Sequence, residues 1–114
     1  MDKNHKYKQW LFFNDIKGEN VSPGVVRKVM AYCDVAMCVV NEFEEGAVGA
    51  IHSHPHTQII YIAEGRFRFS IGDEEKDISR GDTLCIQNGV EHGCLCLEMG
   101  VVIDFFTPMR EDFL

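Results

Sequence analysis

From Val25 onward, short runs of apolar residues alternate with turn residues. The runs are rich in Val, Ile, Phe, Tyr and Cys, and Gly, Asp, Asn and Glu separate them at regular intervals. No window of a dozen residues shows the three- and four-residue apolar spacing of an amphipathic helix. This pattern predicts an all-β chain folded as a sandwich or barrel.

The apolar runs define the candidate strands. These are Val25 to Tyr32, Ala36 to Phe43, Ala47 to His52, Gln58 to Ala63, Arg66 to Ile71, Lys76 to Ser79, Thr83 to Gln87, Cys94 to Leu97 and Gly100 to Phe106. Turns are predicted between them, for example at Glu64-Gly65, and the strongest turn signal is Asn88-Gly89, because both residue types accept strained backbone. Residues 1–20 show no clear element and form an N-terminal segment of unassigned structure.

Alternation along the strands predicts which side chains face the core. In the run Arg66 to Ile71, Phe67 and Phe69 point to one side and the two arginines to the other. The run Ile59 to Ile62 is apolar on both faces, so its outer face needs a cover. A second copy of the chain would give a homodimer. The N-terminal segment Trp10 to Phe13, or other packing within the chain, is the alternative.

Composition supports one soluble globular domain spanning residues 1–114. The chain is 46% hydrophobic and 25% charged, with ordinary Gly and Pro usage, and this argues against disorder. Its apolar runs are far shorter than the roughly 20 residues of a membrane helix. The polar start lacks a signal-peptide core. We therefore predict a cytoplasmic protein without a membrane partner.

Charge and cysteine content argue against a nucleic-acid-binding protein and against a zinc site made of cysteine pairs. The net charge is −7 and the basic residues are scattered, so nucleic-acid binding is not expected. The five cysteines form no C-x-x-C pair of the kind that binds zinc, and we predict reduced, mostly buried thiols. Cys94 and Cys96 share the strand parity of His92, so one of them could lie near a site there.

Four of the five histidines fall in two places and predict a metal site. His52 and His54 are one residue apart, so both would leave the same face of an extended strand and could bind one ion. Gln58 shares their parity. If His92 comes from a strand alongside, three imidazoles and an amide oxygen converge on a metal with open positions. His56 follows a proline and is placed outside this ligand set.

Two segments resemble the cupin motifs. Gly46 to Gly65 resembles the first motif, G-x5-H-x-H-x3-E-x6-G, with Gln58 where glutamate is usual. Gly81 to Cys96 resembles the second motif, G-x5-P-x-G-x2-H-x3-N, with Gln87 for proline and Cys96 for asparagine. The resemblance implies a small jelly-roll barrel with a metal inside. It does not fix a reaction, because this fold hosts oxygenases, isomerases, lyases and binding modules.

A longer stretch, from Val25 to Leu114, is similar to the KdgF family of pectin-degradation cupins. The likeness lies in HSHPHTQ, EHGCLCLE and the C-terminal IDFFTPMREDFL. The resemblance implies a metal bound by three histidines and a glutamine, here His52, His54, Gln58 and His92. It also implies that the D-x-F-x3-R signature serves the substrate, here Asp104, Phe106 and Arg110.

The reaction that this resemblance implies is an isomerisation of a small anionic sugar acid. It converts 4,5-unsaturated monouronates, which lyases release from pectin or alginate, into linear 5-keto-4-deoxyuronate. Arg110 would bind the carboxylate, Asp104 would move the proton, and Phe106 would pack on the sugar ring. One divalent transition metal, Mn, Fe, Ni or Zn, would act as a Lewis acid.

Other interpretations of the same residues remain open. Asp104 could be a hydrogen-bonded strand residue, and Phe106 could belong to the core. Arg110 could pair on the surface with Glu111 or Asp112. Two alternative functions are a non-catalytic, metal-dependent module that binds or senses a sugar acid, and an iron cupin dioxygenase.

Overall fold

The computed structural model describes residues 4–114. Its strands are β1 (Glu19–Ser22), β2 (Val25–Tyr32), β3 (Met37–Phe43), β4 (Val48–His52), β5 (Thr57–Ile71), β6 (Glu74–Ser79), β7 (Thr83–Ile86) and β8 (His92–Thr107). Single 3-10 turns lie at Phe13–Asp15 and Glu111–Phe113. The predicted all-β class is confirmed. No helix among the described residues is long and apolar enough to cross a bilayer.

Two long strands, β5 and β8, form the spine of the fold. They pair antiparallel along almost their whole lengths, from Thr57 opposite Thr107 to Ile71 opposite His92. The strand order is β1-β2-β3-β8-β5-β6, with β4 paired to β8 and β7 paired to β5. Both β3 and β4 therefore lie along β8, against different halves of it. This antiparallel arrangement is the small jelly roll that the sequence predicted.

The predicted strands lie where expected, but two pairs of them are continuous. Gln58 to Ala63 joins Arg66 to Ile71 in β5, and Cys94 to Leu97 joins Gly100 to Phe106 in β8. The turn predicted at Gly65 is wrong. Gly65 has a φ of 85° within β5, and the register with β8 shifts on both sides of it. A bulge accommodates this backbone without ending the strand.

The N-terminal segment is only partly extended. Residues 1–3 of it lie outside the described residues. The 3-10 turn Phe13–Asp15 and the first residues of β1 fall within the segment that the sequence left unassigned. Strand β1 is a four-residue edge strand that is mostly exposed, so it has no apolar alternation by which to recognise it.

Strand alternation separates the core from the surface as predicted. Phe67 is fully buried and Phe69 is 6% exposed. Arg66 and Arg68 lie on the exposed side, where both contact Asp77. The buried apolar residues form two clusters, one around Phe67 and one around Met37. Side chains from both clusters line the central cavity.

The outer face of β5 stays apolar and partly exposed. Ile59 is 41% exposed and Tyr61 39%, and Phe105, opposite Ile59 on β8, is 44% exposed. In the alternative cover, the N-terminal segment, Trp10 is 74% exposed and Phe12 65%. Within residues 4–114, this face therefore lacks a complete cover, and the homodimer stays a prediction.

The close approach at Gly65 yields a stability prediction. A Cβ at Gly65 would lie 2.5 Å from the carbonyl oxygen of Met99 and 2.6 Å from Cα of Gly100. We expect Gly65→Ala to lower the free energy of unfolding by about 3 kcal/mol, because positive φ and overlap with backbone both oppose a side chain.

Gly72→Ala is the matched control. Gly72 also has a positive φ, of 59°, but nothing lies within 4 Å of its added Cβ. The expected loss is about 1 kcal/mol, from backbone conformation alone. Urea unfolding of both variants measures the difference in their free energies of unfolding. Equal losses of stability would show that the close approach of Gly65 to β8 does not add to the cost of a side chain there.

Candidate metal centre

Three imidazoles meet inside the barrel. His52 ends β4 and His92 begins β8, and the two residues are partners in the β4–β8 ladder. Their ring centroids are 4.5 Å apart, and the ring of His54 lies 4.9 Å from that of His92. One nitrogen from each of the three lies within 4.8 Å of the others. His54 sits in the loop after β4, so it does not share an extended strand with His52 as the sequence analysis expected.

Backbone carbonyl groups orient the two histidines that lie on strands. Nδ1 of His52 donates to the carbonyl oxygen of Ala50 at 2.8 Å, and Nδ1 of His92 donates to that of Val90 at 2.9 Å. This leaves Nε2 of each ring as the ligand atom. Nε2 of His92 is buried and has no hydrogen-bond partner among the described residues. A bound cation would satisfy it, so the three histidines fit a metal ion.

Burial also keeps these imidazoles in the metal-binding form. It lowers the pKa of His54 to about 4, with the Arg110 charge adding to the effect. The pKa of His92 is lowered as well, again chiefly by burial. Neutral imidazole is the form that coordinates a cation, so these two rings need not lose a proton at neutral pH.

Gln58 supplies an amide oxygen on the same side. It is the second residue of β5 and only 6% exposed. Its Oε1 accepts a hydrogen bond from Nε2 of His54 at 2.9 Å, and its Nε2 donates to Oδ1 of Asp104 at 2.8 Å. The carboxylate thus turns the amide so that its oxygen faces the histidines. An amide oxygen is an acceptable fourth ligand for a divalent ion.

Asp104 lies behind Gln58 with both oxygens occupied. Besides the bond from Gln58, its Oδ2 accepts a hydrogen bond from Nδ2 of Asn41 at 2.6 Å. Burial raises the pKa of Asp104 to about 6, against the opposing effect of these two hydrogen bonds. A carboxyl group that titrates near neutrality can both accept and return a proton.

Phe106 and Arg110 line the same cavity, which has a volume of about 320 Å³. Phe106 is 3% exposed and belongs to the core cluster, and its edge contacts His54 at 5.6 Å between centroids. Nε and Nη2 of Arg110 donate to the carboxylate of Asp112 at 2.9 and 2.7 Å. The pairing considered from the sequence is therefore present, but at a buried arginine rather than on an open surface.

Three other residues that the sequence brought into question, His56, Cys94 and Cys96, do not belong to the converging group. The ring of His56 is 5.4 Å from that of His54. Cys94 lines the cavity, and burial raises its thiol pKa to about 12. Cys96 is buried in the core.

Arg27, Asn41 and Phe113, which the sequence patterns did not single out, also line the cavity. Arg27 alternates with Val25 and Val29, both buried, so strand parity could have placed it inside. Asn41 likewise lies between two buried residues of β3. Phe113 belongs to the 3-10 turn after β8 and follows no apolar period.

Comparisons with known proteins cover nearly the whole chain. A family model described as Cupin domain matches residues 39–103. The chain is 35% identical over 109 residues to pectin degradation protein KdgF of Dickeya dadantii (strain 3937), covering 94% of this chain and 99% of that protein.

Two solved structures are similar to this chain in fold and in sequence. The fold is similar to that of KdgF from Halomonas sp., with a TM-score of 0.89 and 34% identity, covering 92% of this chain and 97% of that one. It is also similar to an RmlC-like cupin from Shewanella frigidimarina NCIMB 400, with a TM-score of 0.92 and 31% identity, covering 96% and 99%.

The ligand geometry predicts a clear difference between two histidines. Removing the imidazole in His92→Ala should weaken Mn²⁺ and Ni²⁺ binding by more than about 100-fold, because a direct ligand is lost. His56→Ala is the control and should change affinity by less than about threefold, because this ring lies outside the converging group. Calorimetric titration of chelator-treated protein measures both. Wild-type affinity in His92→Ala would contradict the assignment.

Proposed function

This chain belongs to the cupin family and, within it, to the KdgF proteins, and on that basis we propose that it converts 4,5-unsaturated monouronates into linear 5-keto-4-deoxyuronate in pectin or alginate breakdown. The observation that carries the proposal is the convergence of three histidines, an amide oxygen and a buried carboxylate beside one cavity. The reaction is an isomerisation and needs no redox change.

The ligands of the proposed metal site are His52, His54, Gln58 and His92. A divalent ion held there would supply a Lewis acid for a hydroxyl or ring oxygen of the substrate. Imidazole and amide ligands accept Mn, Fe, Ni and Zn, so metal loading decides the identity. Gln58 carries no charge where glutamate is usual in cupins, and this favours an anionic substrate.

Asp104 is the proposed proton carrier. The side-chain N–H groups of Gln58 and Asn41 hold its two oxygens in place. With a pKa of about 6, it is largely ionised at neutral pH and can accept the proton of the anomeric hydroxyl. The bond between C1 and the ring oxygen then breaks as the C1 carbonyl forms, and the resulting C5 enolate takes the proton back at C4 to give the ketone. Atoms and electrons balance without a co-reactant.

Arg110 and Phe106 are proposed to hold the substrate. Nη1 of Arg110 takes no part in the pair with Asp112, so this guanidinium keeps a donor for the substrate carboxylate. Phe106 offers a ring on the cavity wall, against which a sugar ring can pack. The partner is thus a small anionic sugar acid.

We further propose a cytoplasmic homodimer joined through the outer face of β5. Ile59, Tyr61 and Phe105 form one apolar patch across β5 and β8, because Ile59 and Phe105 are paired. A two-fold axis at this patch would place each apolar side chain against the same surface of a second copy.

Turnover tests the proposed reaction. We expect metal-loaded protein to accelerate the loss of the conjugated ultraviolet absorbance of a 4,5-unsaturated uronate above the spontaneous rate. Asp104→Asn should keep the metal and lower kcat by about 100-fold or more, because the proton carrier is lost. His52→Ala should lose both metal and turnover.

Three outcomes would contradict parts of this proposal. Full activity in Asp104→Asn would remove Asp104 from the mechanism. A spontaneous rate with metal bound would favour the non-catalytic sugar-acid module. Oxygen consumption with iron, absent with manganese or nickel, would favour the dioxygenase.

The dimer is tested by mass. Wild-type protein should have twice the chain mass by light scattering, and Tyr61→Glu should shift it to the monomer, because a charge would be buried in an apolar interface. Val48→Glu, at an exposed position on β4, is the control and should leave the dimer intact. A monomeric wild-type chain would overturn the proposed interface.

A further inference from the structure

We infer that Arg27 joins Arg110 to form a two-arginine site for the substrate carboxylate, built around the ring of Phe113. The inference rests on the proposed function, since it names the part of the cavity that recognises the acid group. It adds a residue outside both the D-x-F-x3-R signature and the metal ligands.

Arg27 reaches the cavity because of its strand parity. It lies on β2 between buried Val25 and Val29, so its side chain points inward. On β3 its partner is Asn41, which donates to Asp104. The cationic side chain therefore lines the same cavity as the proposed proton carrier.

The guanidinium of Arg27 has an unused donor. Its Nε is buried and has no hydrogen-bond partner among the described residues. A buried donor without an acceptor costs about 1–3 kcal/mol, so an incoming carboxylate oxygen would remove a penalty that the free protein carries. The carboxylates of Glu19 and Asp112 attract the positive charge of Arg27, and the guanidinium of Arg110 repels it.

Phe113 brings the two arginines together. Cζ of Arg27 lies 3.8 Å from the centre of the Phe113 ring, and Cζ of Arg110 lies 4.2 Å from it. Contact with one aromatic ring keeps the two Cζ atoms no more than about 8 Å apart and limits the orientations of the guanidinium planes. A carboxylate at the edge of this ring that reached both guanidiniums would gain an attraction to each.

Arg110 alone offers an incomplete site. Its Nε and Nη2 edge, the edge best shaped for a carboxylate, already binds Asp112. Nε of Arg27, in contrast, has no hydrogen-bond partner among the described residues, so this side of the guanidinium is open to a carboxylate. The geometry points to bidentate binding by Arg27, supplemented by Nη1 of Arg110.

Binding of a stable acid and its neutral counterpart tests this assignment. D-Galacturonate and D-galactose are titrated by calorimetry into metal-loaded wild type, Arg27→Gln and Arg27→Lys. We expect Arg27→Gln to weaken galacturonate binding by about tenfold or more and to leave galactose binding unchanged, because only the acid uses the fork. Arg27→Lys should keep part of the affinity, through charge without bidentate geometry.

Arg80→Gln is the matched control, since it removes one positive charge from an exposed position. It should leave galacturonate affinity unchanged, which excludes a general charge effect. Unchanged metal affinity in Arg27→Gln shows that the barrel and its ligands are intact. In turnover, Arg27→Gln should raise KM about tenfold while kcat changes by less than about threefold.

The outcomes separate this inference from the proposed function. The role of Arg27 would be overturned if Arg27→Gln bound galacturonate as tightly as wild type does, or if it lost galactose binding to the same extent. It would also be overturned if the wild type did not bind galacturonate. If Arg27→Gln turned over the substrate with the wild-type kcat and KM, the role of Arg27 would be overturned while the proposed function would stand. If the wild type showed no turnover but Arg27→Gln selectively lost galacturonate binding, the carboxylate site would be supported and the proposed reaction contradicted.

Discussion

The antiparallel register between β5 and β8 is the constraint on which the site depends. It places Gln58 opposite Phe106 and Ile60 opposite Asp104, so the amide and the carboxylate meet across one ladder. A slip of one residue in either strand would turn its inward side chains to the opposite face. The buried apolar residues on the same inward face, such as Ile60 and Val102, oppose such a slip, and core packing thereby fixes the positions of the polar groups.

Alternation predicted much of the fold because it is a local property. The burial of Phe67 and Phe69 follows from period two alone, and β2 has the predicted bounds. Continuity of β5 through Gly65 is not local. It depends on the backbone of β8 lying so close that only a glycine fits, and no residue near Gly65 in sequence carries that information.

The candidate site also has residues that local patterns predicted and residues that they could not place. Spacing alone singled out the histidines and Gln58, although His54 reaches the centre from a loop. The inward positions of Arg27 and Asn41 were available from parity, but one polar residue in an apolar strand gives a weak signal. Phe113 could not be placed, since its contacts with two arginines arise from tertiary packing of a single 3-10 turn.

The segment after β8 contributes Arg110 and Phe113 to the cavity but takes no part in strand pairing. Substitutions in it can therefore reshape one wall of the cavity while the histidines on β4 and β8 keep their positions. In the divergence of such proteins, this separation lets substrate preference change without a compensating change in the barrel. New specificities can arise at the periphery of an unchanged metal centre.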